Sequence, residues 1–217
     1  MWIDGRMDYS LYLVTDRALS RGRSTREVAQ AGVRGGVTCV QLREKRATTR
    51  AFIEEALDVK ACLNSSGVPL VINDRVDVAL AVGADGVHLG QNDMPLDMAR
   101  ALVGTSMVIG VSVESVRDAV AAQRGGADYL GVSPIFATPT KSDTAAPLGL
   151  AGLNAIRRAV RLPLVAIGGV NRRNAAEVIG SGADGIAVVS AIVAADDPER
   201  AARDLRRAIA VARGLCT

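Results

Sequence analysis

The feature that most restricts the fold is a recurring phrase: glycine or a small residue, a short apolar run, then polar or ionic side chains. It reads GVTCVQLR at 36–43, ADGVHLGQ at 84–91, GADYLGVS at 126–133 and ADGIAVVS at 183–190. Each apolar run is long enough for a buried strand and follows a helix-like stretch, the pattern of repeated βα units around a parallel sheet. In such sheets the ligand site is built where the strands end, and that is where the polar residues gather.

Eight strand candidates follow from this reading: Leu11–Val14, Thr38–Leu42, Leu70–Ile72, Gly86–Leu89, Val108–Val111, Tyr129–Val132, Leu164–Ile167 and Ile186–Val189. Between them lie amphipathic stretches. Ser24 with Glu27, and Ser115 with Asp118, have the spacing of capping boxes. Phe52, Ala56, Val59 and Leu63 mark one apolar helix face, and Ala201, Leu205, Ala208 and Ala212 another. Eight alternations predict a closed (β/α)₈ barrel in the α/β class, because an open doubly wound sheet usually has fewer strands and one dominant glycine fingerprint. The sequence contains no G-x-G-x-x-G, no Walker loop, no linker and no composition break. One domain is expected over residues 1–217, with its core at about 9–213.

The 49% hydrophobic content suffices for a large core, and with only 3% aromatics that core must be built from Val, Ile, Leu and Ala. A net charge of +3 gives little support to nucleic-acid binding. Of the 26 basic residues only Lys45, Lys60 and Lys141 are lysine. The arginines fall mostly in helical stretches such as Arg200 to Arg213, as a solvated face does. Cys39, Cys62 and Cys216 lack metal or redox spacing, and Cys39 reads as a small core residue. No segment resembles a signal peptide, and no apolar run reaches the ~18 residues that span a membrane. A soluble cytoplasmic protein without membrane association is expected, and a homo-oligomer is left open.

The strand ends supply candidate chemistry. The second strand runs into Gln41, Leu42, Arg43, Glu44 and Lys45; its cations suit phosphate, or form a salt bridge to Glu44 or a helix. The third ends at Asn73 and Asp74, and the fourth runs into Gly90-Gln91-Asn92-Asp93. Two carboxylates beside amides form the hard oxygen set that Mg²⁺ prefers, although either aspartate also suits a helix N-cap. The long loop after the sixth strand carries Thr138, Pro139, Thr140 and Lys141, an anion clamp or an ordinary surface loop. Gly168-Gly169 after the seventh strand and Ser190 after the eighth suit a phosphate held on backbone amides, or a tight turn. The lone His88 lies within a strand and reads as a packed or hydrogen-bonded barrel residue. Without a serine elbow or a Cys–His pair, the site favours electrostatic stabilisation of a departing phosphate.

Taken together, QLREK at 41–45, Asn73-Asp74, the stretch 85–93, 131–134 with TPTK at 138–141, Gly168-Gly169, Val189-Ser190 and LYLVTD at 11–16 resemble the thiamine phosphate synthase family. The resemblance covers nearly the whole chain. It implies a (β/α)₈ barrel that joins 4-amino-2-methyl-5-(diphosphooxymethyl)pyrimidine to a thiazole phosphate and releases pyrophosphate. It further implies that Gln41, Leu42, Arg43, Glu44, Lys45, Asn73, Ser112 and Lys141 hold the pyrimidine diphosphate. Thr138, Pro139, Thr140, Gly169, Val189 and Ser190 would hold the thiazole phosphate, and Asp74 and Asp93 would ligate Mg²⁺. Arg43, Lys141 and Ser112 would serve the dissociative step. Asn92 stands where an acid is common in the family, and Ala137 where proline or another small residue is. A thiazole tautomerase of the same fold is the alternative, but it would have no use for the diphosphate half. A non-catalytic phosphate sensor would be expected to lose the carboxylates.

Overall fold

The computed structural model describes residues 1–3, 6–138 and 146–215. Pro139, Thr140, Lys141 and Cys216 lie outside the described residues. Eight parallel strands close into a barrel: β1 (Leu11–Val14), β2 (Cys39–Leu42), β3 (Leu70–Asn73), β4 (Gly86–Leu89), β5 (Val108–Val113), β6 (Tyr129–Val132), β7 (Leu164–Ala166) and β8 (Gly185–Val188). Closure is made by β8 against β1, with Ile186 opposite Leu11 and Val188 opposite Leu13. The expected strands are all present, each with bounds shifted by no more than two residues at either end.

Helices α1 (Thr25–Arg34), α2 (Thr49–Asn64), α3 (Val76–Val82), α4 (Leu96–Val103), α5 (Val116–Arg124), α6 (Gly149–Ala159), α7 (Ala175–Gly180), α8 (Ser190–Val193) and α9 (Pro198–Ala212) connect and surround the strands. Ser24 and Glu27 form the full capping box of α1. Ser115 does accept from Asp118 N, but the shorter aspartate side chain accepts from Glu114 N, so that box is incomplete. The α2 face is Phe52, Ala56, Val59 and Leu63, as expected. In α9 the buried stripe is Pro198, Ala202, Leu205 and Ile209, whereas Ala201, Ala208 and Ala212 lie at its flank. The bulkier Ile209 takes the inner position, turning the helix by about one residue from the expected face.

Strand pleating divides the core in two. One set of alternate residues, including Leu11, Leu13, Val40, Leu42, Ile72 and Leu130, packs outward under the helices. The other set fills the barrel: Tyr12, Val14, Cys39, Val71, Tyr129, Val165 and Ala187, with Met7 and Tyr9 closing the floor. Burial pushes the Cys39 thiol up, which fits a small core residue, not a reactive thiolate. The Tyr9 and Tyr129 rings lie 4.5 Å apart. Tyr129 fits only because its neighbour on β5 is glycine: a Cβ on Gly110 would lie 2.1 Å from its Cζ.

Gly110→Ala should therefore destabilise the barrel by about 1–3 kcal/mol through overpacking. Thermal unfolding should show Tm falling by roughly 2–4 °C per kcal/mol. An unchanged Tm would mean that Tyr129 has room to move.

Candidate active site

The pleat decides which residues of the β2 end enter the barrel mouth. Gln41 and Arg43 line a cavity of about 550 Å³, together with Lys45, Asn73, Asp74, Asp93, Ser112, Thr138, Gly169, Val189 and Ser190. Leu42, between them, is fully buried against the helices, so its side chain does not reach the cavity. Glu44 is also turned away: its Oε1 lies 3.7 Å from Arg17 Nε. Burial, then the neighbouring Glu55, pushes the Glu44 carboxyl above its ordinary value. Glu44 pairs with Arg17, and neither Arg43 nor Lys45 is an ion-pair partner of it.

The cations are aimed by the neighbouring strands. Arg43 N donates to Thr15 Oγ1 over 3.1 Å, and its guanidinium Nη1 lies 3.7 Å from Asp16 Oδ2. Both partners follow directly from β1, so the cation and its support arise from adjacent strand ends. Lys45 Nζ donates to Asp74 Oδ2.

Asp74 has φ 65°, the left-handed region that aspartate tolerates better than most side chains, and its N–H donates to His88 O over 2.8 Å. A non-glycine residue held there marks a position fixed by its surroundings, as functional sites often show. Asp93 is anchored by Gly90 N, which donates to Oδ2 over 2.6 Å. Burial raises the Asp93 carboxyl above its ordinary value of 3.8, and a hydrogen bond with Asp74 adds to the shift. Neither aspartate caps a helix: Arg75 precedes α3 and Pro95 precedes α4, and neither helix has a side-chain cap. Two oxygen-donor carboxyls in contact, beside Asn73 and the cavity, are suited to a hard divalent cation. Among the described residues no cluster of three His, Cys, Asp or Glu forms, so water and a ligand's oxygens would have to complete such a shell.

On the opposite wall, Gly168 and Gly169 have φ 98° and 66°. A Cβ on Gly168 would lie 2.8 Å from Pro134 Cβ, and one on Gly169 2.7 Å from Phe136 Cβ. The β6 and β7 loops can approach this closely only with glycine. Val189 and Ser190 enter from β8, with Ser190 opening the short α8. Phosphate bound here would meet backbone groups and a hydroxyl, well suited to a charge-dense oxyanion.

Tyr12, Tyr129 and Asn171 also line the cavity, and the sequence does not single them out. Strand parity carried the signal for the tyrosines, since each lies two residues before an inward-facing position, Val14 or Gly131. His88 is hydrogen-bonded on both ring nitrogens, to Tyr129 Oη and Ser112 Oγ, each at 2.9 Å.

A closed parallel barrel with cations, paired carboxyls and a diglycine turn at the C-terminal mouth has a lining suited to phosphorylated ligands. The sequence model described as thiamine monophosphate synthase matches residues 11–192. A thiamine-phosphate synthase of Chloroflexus aurantiacus is 60% identical over 205 residues, 94% of each chain. That of Albidiferax ferrireducens is 58% identical over 92% of this chain and 91% of its own. The solved structure of thiamine phosphate pyrophosphorylase from Pyrococcus furiosus superposes with a TM-score of 0.88 at 40% identity, covering 95% of this chain and 98% of that one. The chain belongs to the thiamine monophosphate synthase family, and is thus a transferase. The thiazole tautomerase alternative finds no support among these relatives.

The carboxyl contact has a pH signature. A raised folded-state value favours the fold below 3.8 and loses that contribution as pH rises through the raised value. With divalent cations chelated, Tm should show this loss in the wild type and lack it in Asp93→Asn. Parallel profiles for the two proteins would contradict the coupling.

Proposed function

We propose that the chain condenses 4-amino-2-methyl-5-(diphosphooxymethyl)pyrimidine with a thiazole phosphate, yielding thiamine phosphate and pyrophosphate. The supporting observation is the division of one cavity into two walls: Gln41, Arg43, Lys45, Asn73, Asp74, Asp93 and Ser112 against Thr138, Gly169, Val189 and Ser190. One wall suits a diphosphate with its cation, the other a single phosphate. On the family resemblance, Pro139 and Thr140 would bind the thiazole phosphate and Lys141 the pyrimidine diphosphate.

Asp74 and Asp93 would hold Mg²⁺, which when bound offsets the charge of the diphosphate. Arg43 and Lys141 stabilise the negative charge that grows on the leaving pyrophosphate as its ester oxygen parts from the pyrimidine methylene. Ser112 and Gln41 orient the pyrimidine, whose amino group donates electron density to the methylene cation. The thiazole nitrogen then attacks that carbon with its lone pair and releases no proton. A general base is not required, and His88 is engaged at both ring nitrogens. Leu42 and Glu44 have no direct side-chain role here; both keep the β2 end in place. The retained carboxylates also argue against a phosphate sensor. We read residues 1–217 as one barrel domain acting in the cytoplasm on small molecules; no helix among the described residues is long and apolar enough to cross a membrane.

Mixing both substrates with Mg²⁺ should release pyrophosphate, and a chelator should stop it; no pyrophosphate with Mg²⁺ present overturns the reading. Asp93→Ala should abolish turnover while thiazole phosphate still binds by calorimetry, and equal loss of both would contradict the two-wall division. Arg43→Ala should raise the barrier by about 3 kcal/mol, roughly a hundredfold in kcat.

A further inference from the structure

Among the described residues, the only ones besides glycine with a positive φ are Asp74, at 65°, and Arg21, at 59°. Asp74 belongs to the candidate site, whereas Arg21 lies in the loop between β1 and α1, beside Gly22 at φ 83°. Backbone of this kind persists where its surroundings hold it, and it gathers at functional sites. The bend at Arg21 and Gly22 brings two arginines against the segment that follows β8.

Arg23 leaves the bend just ahead of Ser24, whose capping box fixes the start of α1. Its Nε donates to Ser20 O over 2.9 Å, and its Nη1 to Asp196 O over 3.2 Å. Its Nη2 donates to Val193 O over 3.1 Å and to Ala195 O over 2.7 Å. One guanidinium fork thus takes three carbonyls at the end of α8 and a fourth in its own loop. Arg21 pairs with Asp196, but both side chains are more than half exposed, so that pair contributes little.

The helix so gripped is α8, which has only four residues. A helix of one turn has almost no stability of its own, and its last carbonyls find no partner within it. Its first residue, Ser190, lines the cavity, with Val189 before it. The two ends are joined directly: Ala194 N donates to Ser190 O over 3.1 Å, and Val193 N to Val189 O over 2.9 Å. A longer helix would absorb a loose end in the turns between; α8 has none. Ile192 and Val193 are fully buried, so α8 stays docked without Arg23, and the order of its single turn is what would be lost.

We propose that Arg23 is a positioning residue for the thiazole phosphate, holding the far end of α8 so that Val189 and Ser190 stay in place to meet the phosphate. Arg23 is not among the residues that line the cavity, so it acts through α8 and not by touching the ligand. The wall for the diphosphate is carried by β2, β3, β4 and β5 and does not include α8. Loss of Arg23 should therefore weaken one substrate and spare the other. This inference rests on the thiazole phosphate reading above.

The test measures two Kd values by calorimetry with Mg²⁺. One ligand is the thiazole phosphate; the other is the pyrimidine diphosphate with its ester oxygen replaced by a methylene, so that it cannot ionise. Arg23→Ala should weaken the thiazole phosphate by about tenfold, the scale of one lost hydrogen bond from a charged group, and leave the pyrimidine analogue at its wild-type value. In turnover, KM for the thiazole phosphate should rise while kcat holds. Guanidinium ion below denaturing concentration should recover affinity in Arg23→Ala that sodium ion at equal strength does not. An unchanged thiazole phosphate Kd, an equal loss for both ligands, or an equal response to the two cations overturns the proposal. If the wild type itself does not bind the thiazole phosphate, the two-wall reading falls and takes this inference with it. Should Arg23→Ala not fold, side-chain hydrogen exchange of the wild type decides, because coupling between the two contacts is reciprocal. Binding of the thiazole phosphate should slow exchange at Arg23 Nε–H, and an unchanged rate overturns the proposal.

Discussion

Everything at the mouth of this barrel depends on strand parity held in a closed register. A parallel strand sends alternate side chains to opposite faces, and closure of β8 on β1 leaves no free edge along which a strand could slip. The same alternation that buries Leu11, Leu13, Val40 and Leu42 under the helices points Tyr12, Gln41 and Arg43 into the interior. A shift of one residue in β2 would exchange Gln41 and Arg43 for Leu42 and Glu44. The hydrophobic energy of the outer layer therefore also fixes the polar identity of the inner one. Packing and chemistry share one constraint.

Within that frame, the electrostatics of the mouth are incomplete without ligands. Lys45 partly balances Asp74, while Asp93 is half-sheltered and set against its neighbour, so two carboxylates compete for too little positive charge. On the reading proposed here a divalent cation would relieve that competition. Its charge, together with Arg43, would then call for a counter-anion with several oxygens, and a diphosphate would supply both ligands for the cation and acceptors for the guanidinium. Each component makes the next more favourable. The diglycine wall works differently, through close backbone approach, and so needs no second metal.

The barrel, its strand bounds and the polar clusters at the strand ends were legible because parallel strands buried on both faces write themselves as apolar runs ending in polar residues. Less legible was what one side chain does within a run. QLREK reads as a continuous motif, yet the pleat sends Leu42 and Glu44 away from the cavity that takes Gln41 and Arg43. Tyr12 and Tyr129 sit inside apolar runs and look like core. Only their inward parity, and Gly110 opposite Tyr129, mark them as belonging to the floor of the site. The α9 stripe was misplaced because an alanine-rich helix offers several small faces, and the choice falls to Leu205 and Ile209. Ser112 was found through the family resemblance, since one hydroxyl in a valine-rich strand carries no signal of its own.

A barrel of this size could have filled its interior with valine and isoleucine alone. Instead the layer between the apolar floor of Met7, Tyr9 and Cys39 and the charged mouth is polar but hydrogen-bonded from member to member. Burying such groups costs several kcal/mol each when they are unmatched and little when every one finds a partner. The linkage also changes what the pocket offers. A hydroxyl facing water can rotate to suit any ligand, whereas Gln41 is tied to buried Tyr12 and Ser112 to His88, whose ring is set against Gly131. Their positions are then held by the rigid core below them, and binding spends little free energy on placing them.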